Sequence, residues 1–216
     1  TEASETGVDF NNTLDPSEEF NMYLFRNFYN GGGVAAGDVT GDGLPDLFFT
    51  GNMVSNRLYE NLGNFRFRDI TDDAGLNSEG FWSTGVSFGD VNGDSHLDIF
   101  VALSGQPSDG KRHNRLYINR GDRTFTEEAE KWGVDDTSLA THGLFFDYNG
   151  DDQLDLYLIS NSMDEIKGFS GVTSDVRQTS GAQGSSKLYR NDGDKFTDVT
   201  ESAGIYNSSI AFGLSA

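Results

Sequence analysis

The chain repeats itself, and that repetition limits the folds open to it more than any other feature. Gly37-Asp38-Val39-Thr40-Gly41-Asp42-Gly43-Leu44-Pro45-Asp46-Leu47 returns as Gly89-Asp90-Val91-Asn92-Gly93-Asp94-Ser95-His96-Leu97-Asp98-Ile99, and again as Phe146-Asp147-Tyr148-Asn149-Gly150-Asp151-Asp152-Gln153-Leu154-Asp155-Leu156. The first Asp of each copy stands at 38, 90 and 147, a period of 52 and then 57 residues. A second block keeps the same phase: Asn56-Arg57-Leu58-Tyr59-Glu60-Asn61, Asn114-Arg115-Leu116-Tyr117-Ile118-Asn119 and Ser186-Lys187-Leu188-Tyr189-Arg190-Asn191. Each leads through a glycine turn into a Phe-bearing segment and an Ala-Gly or Trp-Gly corner, Phe67 to Gly75, Phe125 to Gly133 and Phe196 to Gly204. Two motifs holding one phase through three copies define one supersecondary unit used three times.

The unit reads as β structure. Leu47-Phe48-Phe49-Thr50, Ile99-Phe100-Val101-Ala102 and Leu156-Tyr157-Leu158-Ile159 are short, β-branched or aromatic, and bounded by Asp, Gly and Asn, as buried strands are. The chain has 27 Gly but three Pro, which indicates tight turns rather than a Pro-rich linker. One strand enters the acidic loop, one leaves it, the Leu-Tyr block makes a third and the Phe segment a fourth. Four antiparallel strands in about 50 to 60 residues match one blade of a β-propeller. The expected fold class is all-β, with a lead-in over 1–30 and blades over 31–84, 85–141 and 142–208. Short helical turns are expected only at Glu127 to Trp132 and near Glu18 to Phe28.

The acidic loops carry Asp at position 1, Thr or Asn at 3, Asp at 5, a turn residue at 6 and Asp at 9. Oxygens at alternating positions of a tight turn suit calcium, which takes six to eight hard oxygen ligands; magnesium, octahedral and reluctant to dehydrate, suits less well. The candidate ligands are Asp38, Thr40, Asp42, Leu44 and Asp46; Asp90, Asn92, Asp94, His96 and Asp98; and Asp147, Asn149, Asp151, Gln153 and Asp155, about three ions in all. The side chain at position 7 varies, so Leu44, His96 and Gln153 are assigned through their backbone carbonyls. An EF-hand is excluded, because it needs Glu at position 12 and these loops have Phe49, Val101 and Leu158 there, inside expected strands. The competing reading is an ion-free hairpin whose Asp and Asn side chains bond their own backbone. Three clustered carboxylates repel one another without a cation, which favours the ion.

The Asp-x-Asn-x-Asp-Gly-x-x-Asp loop in a β-rich repeat resembles the FG-GAP or VCBS repeat of integrin-α-like propellers. The Asn-Arg-Leu-Tyr-x-Asn block and the Phe-x-Asp-Ile-Thr-x-x-Ala-Gly corner are similar to bacterial VCBS/ASPIC-UnbV proteins. The resemblance runs from about Gly31 to the end of the chain. It implies a seven-bladed propeller with calcium in hairpin loops of several blades, an exported and in some cases lipid-anchored protein, and no settled catalytic activity. Thr40 departs from the pattern at position 3, and Ser95 and Asp152 stand where loop 1 has Gly43, at a turn position expected to need a positive φ.

With 15 basic against 35 acidic residues the formal charge is −20, which disfavours duplex nucleic acid and anionic membranes as partners. No apolar run approaches the roughly 20 residues of a membrane helix. The absence of cysteine removes disulfides and thiolate chemistry but leaves the compartment open. The first residues have no signal-peptide character, and removal of such a peptide is the expectation. Gly213-Leu214-Ser215-Ala216 resembles Gly33-Val34-Ala35-Ala36, so 209–216 is expected to be the first strand of a fourth, truncated repeat, the remaining blades coming from the same precursor or another chain.

The segment between position 9 and the Leu of the Leu-Tyr block grows from 12 residues (46 to 58) to 18 (98 to 116) to 33 (155 to 188). All of this growth falls on the connection between the second and third strands, hence on one face. The longest, Asn161 to Ser186, is the candidate ligand-binding loop. Histidines 96, 113 and 142 form no catalytic constellation, and Trp82 and Trp132 read as core. The expected function is a calcium-stabilised, non-enzymatic scaffold outside the cell or on its surface, binding a protein or glycan. The runner-up is the calcium-bearing scaffold of a polysaccharide-active enzyme whose catalytic residues lie outside this segment.

Overall fold

The computed structural model describes residues 3–25, 27–105, 112–161 and 186–205. Each repeat forms one four-stranded antiparallel sheet whose strands lie in chain order. The first comprises β1 (Val34–Gly37), β2 (Asp46–Phe49), β3 (Arg57–Asn61) and β4 (Phe67–Asp69); the second β5 (Ser83–Gly89), β6 (Asp98–Leu103), β7 (Arg115–Asn119) and β8 (Phe125–Glu127); the third β9 (Leu139–Phe146), β10 (Asp155–Asn161), β11 (Lys187–Asn191) and β12 (Phe196–Asp198). Among the described residues helix is confined to two single turns, α1 (Ala3–Thr6) and α2 (Ala129–Trp132). The all-β, four-strand blade expected from the sequence is therefore present three times, and the described residues do not close a ring. The expected turn before Trp132 is α2; the described residues near Glu18 to Phe28 form bends and turns and no helix.

The register is the same in every blade. Position 9 of the acidic loop pairs with the residue before position 1: Asp46 with Gly37, Asp98 with Gly89 and Asp155 with Phe146. Because side chains alternate across a strand, each sheet presents one apolar face to the blade before it and the other to the blade after it. Phe48 and Leu58 of the first sheet pack on Ile99, Val101 and Tyr117 of the second. The far face of the second, Phe100, Leu116 and Ile118, packs on Leu156, Leu158 and Tyr189 of the third. Burying each such side chain stabilises by about 1.5–3 kcal/mol. The sheets meet closely where side chains are absent: a Cβ on Gly143 would lie 2.5 Å from Phe100.

Among the described residues no blade precedes the first, and the lead-in segment packs on that face of it. Tyr59 is fully buried there and donates its hydroxyl to Asp9 at 2.7 Å, and burial followed by the Asp9 contact pushes the phenol up to about 12. Phe10 stacks on Phe49 at 5.2 Å. Asn12 and Asn52 exchange two hydrogen bonds, Asn12 Nδ2 to Asn52 Oδ1 and the Asn52 amide to Asn12 Oδ1. The lead-in then places Phe20, Phe25 and Phe28 around Trp82, with Leu139 beside them. Trp82 and Trp132 are both core residues, as expected.

One ion pair joins the second-to-third blade connection to the third sheet. Asp136 accepts from Lys187 Nζ at 2.6 Å and from the Tyr189 hydroxyl at 3.4 Å. Burial alone would raise the Asp136 pKa, but Lys187 and Ser138 together hold it below the usual carboxylate range. A depressed carboxylate contributes stability above its unfolded pKa and loses it as pH falls through the folded value. Asp136→Asn is thus expected to cost about 1–2 kcal/mol at neutral pH, with the difference beginning to shrink below about pH 4 and gone once pH has fallen through the lower folded pKa; urea unfolding at several pH values measures it. Phe10→Ala should cost about 1–2 kcal/mol and expose Tyr59, read by denaturant midpoint and by tyrosine fluorescence quenching.

Candidate metal-binding loops

The loops lie between the first and second strands of each blade and are built alike. The position 1 carboxylate folds back over the turn. Asp38 Oδ1 accepts from Gly41 and Asp42 at 2.8 and 3.0 Å, and its Oδ2 accepts from Gly43 at 2.8 Å. Asp90 holds Gly93, Asp94 and Ser95, and Asp147 holds Gly150, Asp151 and Asp152, in the same order. Gathering three amides on one carboxylate needs a left-handed backbone at positions 4 and 6. Position 4 is Gly in every loop, with φ of 75°, 74° and 80° at Gly41, Gly93 and Gly150. Position 6 has φ of 86° at Gly43, 70° at Ser95 and 66° at Asp152, so the positive φ expected there holds even for the non-glycine residues.

Positions 3 and 5 form a second layer. The position 5 carboxylate accepts from the position 7 amide at 2.9, 2.9 and 3.0 Å in the three loops. Asn92 and Asn149 accept from the position 5 amide and donate to the position 5 carboxylate. Thr40 makes neither bond; its hydroxyl is buried beside Asp46 instead. Position 7 side chains turn outward over the glycine turn that follows the third strand, His96 against Gly121 and Gln153 against Gly193.

Position 9 is the buried one. Asp46, Asp98 and Asp155 are all 0% exposed. Each Oδ2 accepts from the position 2 amide, Val39, Val91 or Tyr148, at 2.9–3.0 Å, with Thr40 added in the first loop. Each Oδ1 accepts from the amide of the Asn that ends the third strand, Asn61, Asn119 or Asn191, at 2.8–2.9 Å. Burial raises all three pKa values above the ordinary carboxylate range, and Asp98, also facing Asp94 and Asp90, is pushed up to about 6. A raised carboxylate pKa means that the bare loop is destabilised by its own charge as pH rises through that value.

The oxygens called as ligands are thus gathered into one turn per blade, and they face backbone amides. Among the described residues no three Asp, Glu or His side chains converge as a ready metal cluster. The donor set nevertheless fits a hard cation. A carboxylate oxygen has two acceptor sites, and Asp38 Oδ2 and Asp46 Oδ1 each have one filled, while the Thr40 hydroxyl lies beside Asp46. The candidate ligand loop between Asn161 and Ser186, and the fourth-repeat strand over 209–216, lie outside the described residues.

Sequence reasoning missed Asn61, Asn119 and Asn191. Asn119 Nδ2 donates to the carbonyl of Val39 in the preceding blade's loop at 2.8 Å as well as to Leu97 of its own. Asn191 repeats this with Val91 and Leu154, while Asn61 reaches Pro45 in its own loop. Asn119 and Asn191 thus tie the first and second loops to the blade that follows each. Their signal was visible, since Asn closes all three Leu-Tyr blocks, but spacing alone gave it no task.

The family model described as FG-GAP-like repeat matches residues 38–101 and 96–158, together more than half of the chain. The chain belongs to the FG-GAP-like repeat family. Both matched segments start at or near an acidic loop and run through the next, in step with the structural repeat. Human cartilage acidic protein 1 is 30% identical over 154 residues, 65% of this chain and 22% of that protein. The mouse protein is 29% identical over 143 residues, 60% of this chain and 21% of that protein. The chain therefore spans about a fifth of the length of these relatives. For the FG-GAP-like scaffold the inter-blade Asn bonds give a graded expectation: Asn119→Ala and Asn191→Ala should each cost about 2 kcal/mol, Asn61→Ala about 1. Denaturant midpoints of the three variants measure the order.

Proposed function

We propose that this chain is a calcium-binding, non-enzymatic interaction module that works outside the cell, with one ion in each acidic loop. The observation that carries the reading is the buried carboxylate at position 9, present in three equivalent loops and destabilised by burial in each. Asp38, Asp42 and Asp46, with Thr40 and the Leu44 carbonyl, would hold the first ion. Asp90, Asp94, Asp98, Asn92 and the His96 carbonyl would hold the second, and Asp147, Asp151, Asp155, Asn149 and the Gln153 carbonyl the third. The cation supplies charge neutralisation and cross-links the turn; it takes part in no reaction in this reading. Three ions would bring the formal charge from −20 to −14, still strongly acidic.

The extracellular setting is supported by the calcium chemistry, since modules there work at roughly 10⁻⁴–10⁻³ M affinities. The curated relatives are themselves named as acidic proteins of cartilage. The partner, a protein or glycan, would engage the connections between second and third strands, which lengthen from blade to blade at the end of the strands opposite the acidic loops. Loops of uneven length on a rigid repeat are where a scaffold of this kind varies its ligand.

Calcium that binds only the folded chain raises its stability by about 2.7 kcal/mol at a hundredfold excess over the dissociation constant of a single site. The thermal midpoint should therefore rise in millimolar calcium over EDTA, with little response to magnesium. Asp42→Ala, Asp94→Ala and Asp151→Ala remove exposed side chains and should leave the midpoint in EDTA within about 0.5 kcal/mol of wild type. Each should remove part of the calcium response. An unchanged midpoint in calcium would leave the loops as ion-free hairpins.

A further inference from the structure

Asn-Gly occurs in the chain as Asn30-Gly31, Asn92-Gly93 and Asn149-Gly150. The dipeptide is prone to intramolecular attack on the Asn side chain, because glycine puts no Cβ beside its own nitrogen to hinder approach to Cγ. Backbone conformation does not separate these sites: φ is 80° at Gly31, 74° at Gly93 and 80° at Gly150. Nor does the preceding residue separate the first from the third, since Tyr29 and Tyr148 make both Tyr-Asn-Gly. Their hydrogen bonds do separate them.

In the acidic loops both reacting groups are held. Asn92 Nδ2 donates to Asp94 Oδ2 at 2.9 Å, Asn92 Oδ1 accepts from the Asp94 amide at 3.0 Å, and the Gly93 amide donates to Asp90 Oδ1 at 2.8 Å. Asn149 is bound to Asp151 in the same two ways, at 2.8 and 3.0 Å, and the Gly150 amide donates to Asp147 Oδ1 at 2.7 Å. The attacking nitrogen must give up its proton, and a carboxylate at hydrogen-bond distance opposes the negative charge that this leaves. Asn30 has neither restraint. Its side chain and the Gly31 amide make no hydrogen bond to another described residue. Asn30 is exposed, and a Cβ on Gly31 would meet nothing within 4 Å. Both residues line an open cavity of about 430 Å³ whose described lining residues include no Asp or Glu.

We propose that Asn30 is a site of spontaneous deamidation in the folded chain, and that the folded acidic loops protect Asn92 and Asn149 from the same reaction. The Gly31 nitrogen bonds to Asn30 Cγ, the carboxamide C–N bond breaks, and the nitrogen leaves as ammonia, carrying the proton that Gly31 gave up. Water then opens the cyclic succinimide at either carbonyl, leaving aspartate or isoaspartate at residue 30. The product carries one more negative charge where the lead-in passes into β1, beside the Gly31 carbonyl that accepts from Asn52 Nδ2 at 3.3 Å. The inference needs no bound ion, so incubations in EDTA and in calcium should convert Asn30 alike and keep a failure of the calcium proposal separate from a failure here. Peptide mapping by mass spectrometry, on folded chain incubated at mildly alkaline pH and digested at intervals, follows every site in one sample. Asn30 should convert at least about tenfold faster than Asn92 or Asn149. In urea-unfolded chain Asn30 and Asn149, with the same neighbours, should convert at equal rates. Asn30→Gln, whose longer side chain closes its ring far more slowly, should remove the main acidic form that ion exchange separates from aged chain; its thermal midpoint reports that it folds. Equal rates at Asn30, Asn92 and Asn149 in the folded chain overturn the proposal. So does a difference between Asn30 and Asn149 that persists on unfolding, or an acidic form that accumulates unchanged in folded Asn30→Gln. If that variant does not fold, the rates in the wild-type chain decide alone.

Discussion

A buried carboxylate bonded on both sides to backbone amides organises each blade. Asp46, Asp98 and Asp155 each hold the start of their own loop through one oxygen and the end of the third strand through the other. A neutral side chain could not accept from both directions in this way, because an amide would present a donor to one of the two N–H groups. The desolvation that this arrangement demands is what raises these carboxyls. It also makes a cation useful: the charge that the fold needs for bonding is the charge that burial penalises.

From that centre the structure spreads outward in both directions along the array. The strand-ending Asn that bonds to the carboxylate through its amide uses its side chain to hold the previous blade's loop. The loop, the third strand and the neighbouring blade therefore form one polar seam alongside the apolar packing of alternate strand faces. The first blade has no predecessor among the described residues, and Asp9 and Phe10 of the lead-in supply a polar contact to Tyr59 and an aromatic one to Phe49.

Much of this was legible beforehand, because repetition turns weak local signals into strong ones. Strand order, the four-strand unit and the positions of the loops followed from motifs in phase, and the left-handed backbone at position 6 followed from Gly43, although Ser95 and Asp152 adopt it too. What spacing could not convey was direction. A list of oxygens at positions 1, 3, 5 and 9 does not say that position 1 faces the turn amides while position 9 is buried and reaches the third strand. Nor could it show that Asn119 and Asn191 cross to another blade, since such a contact joins residues 80 and 100 positions apart. The covering role of Asp9 and Phe10 was hidden for a different reason: they belong to no repeat, so no second copy marked them.

Amide hydrogen exchange in the native state tests the central claim most directly, because it reads the buried carboxylate's bonds one by one. The amides of Val39, Val91 and Tyr148 and of Asn61, Asn119 and Asn191 should be among the slowest in the chain, and calcium should slow all six together. If these amides exchanged as fast as those of the exposed loop tips, or if calcium slowed only the loop tips, the buried carboxylate would not be the organising centre of the blade.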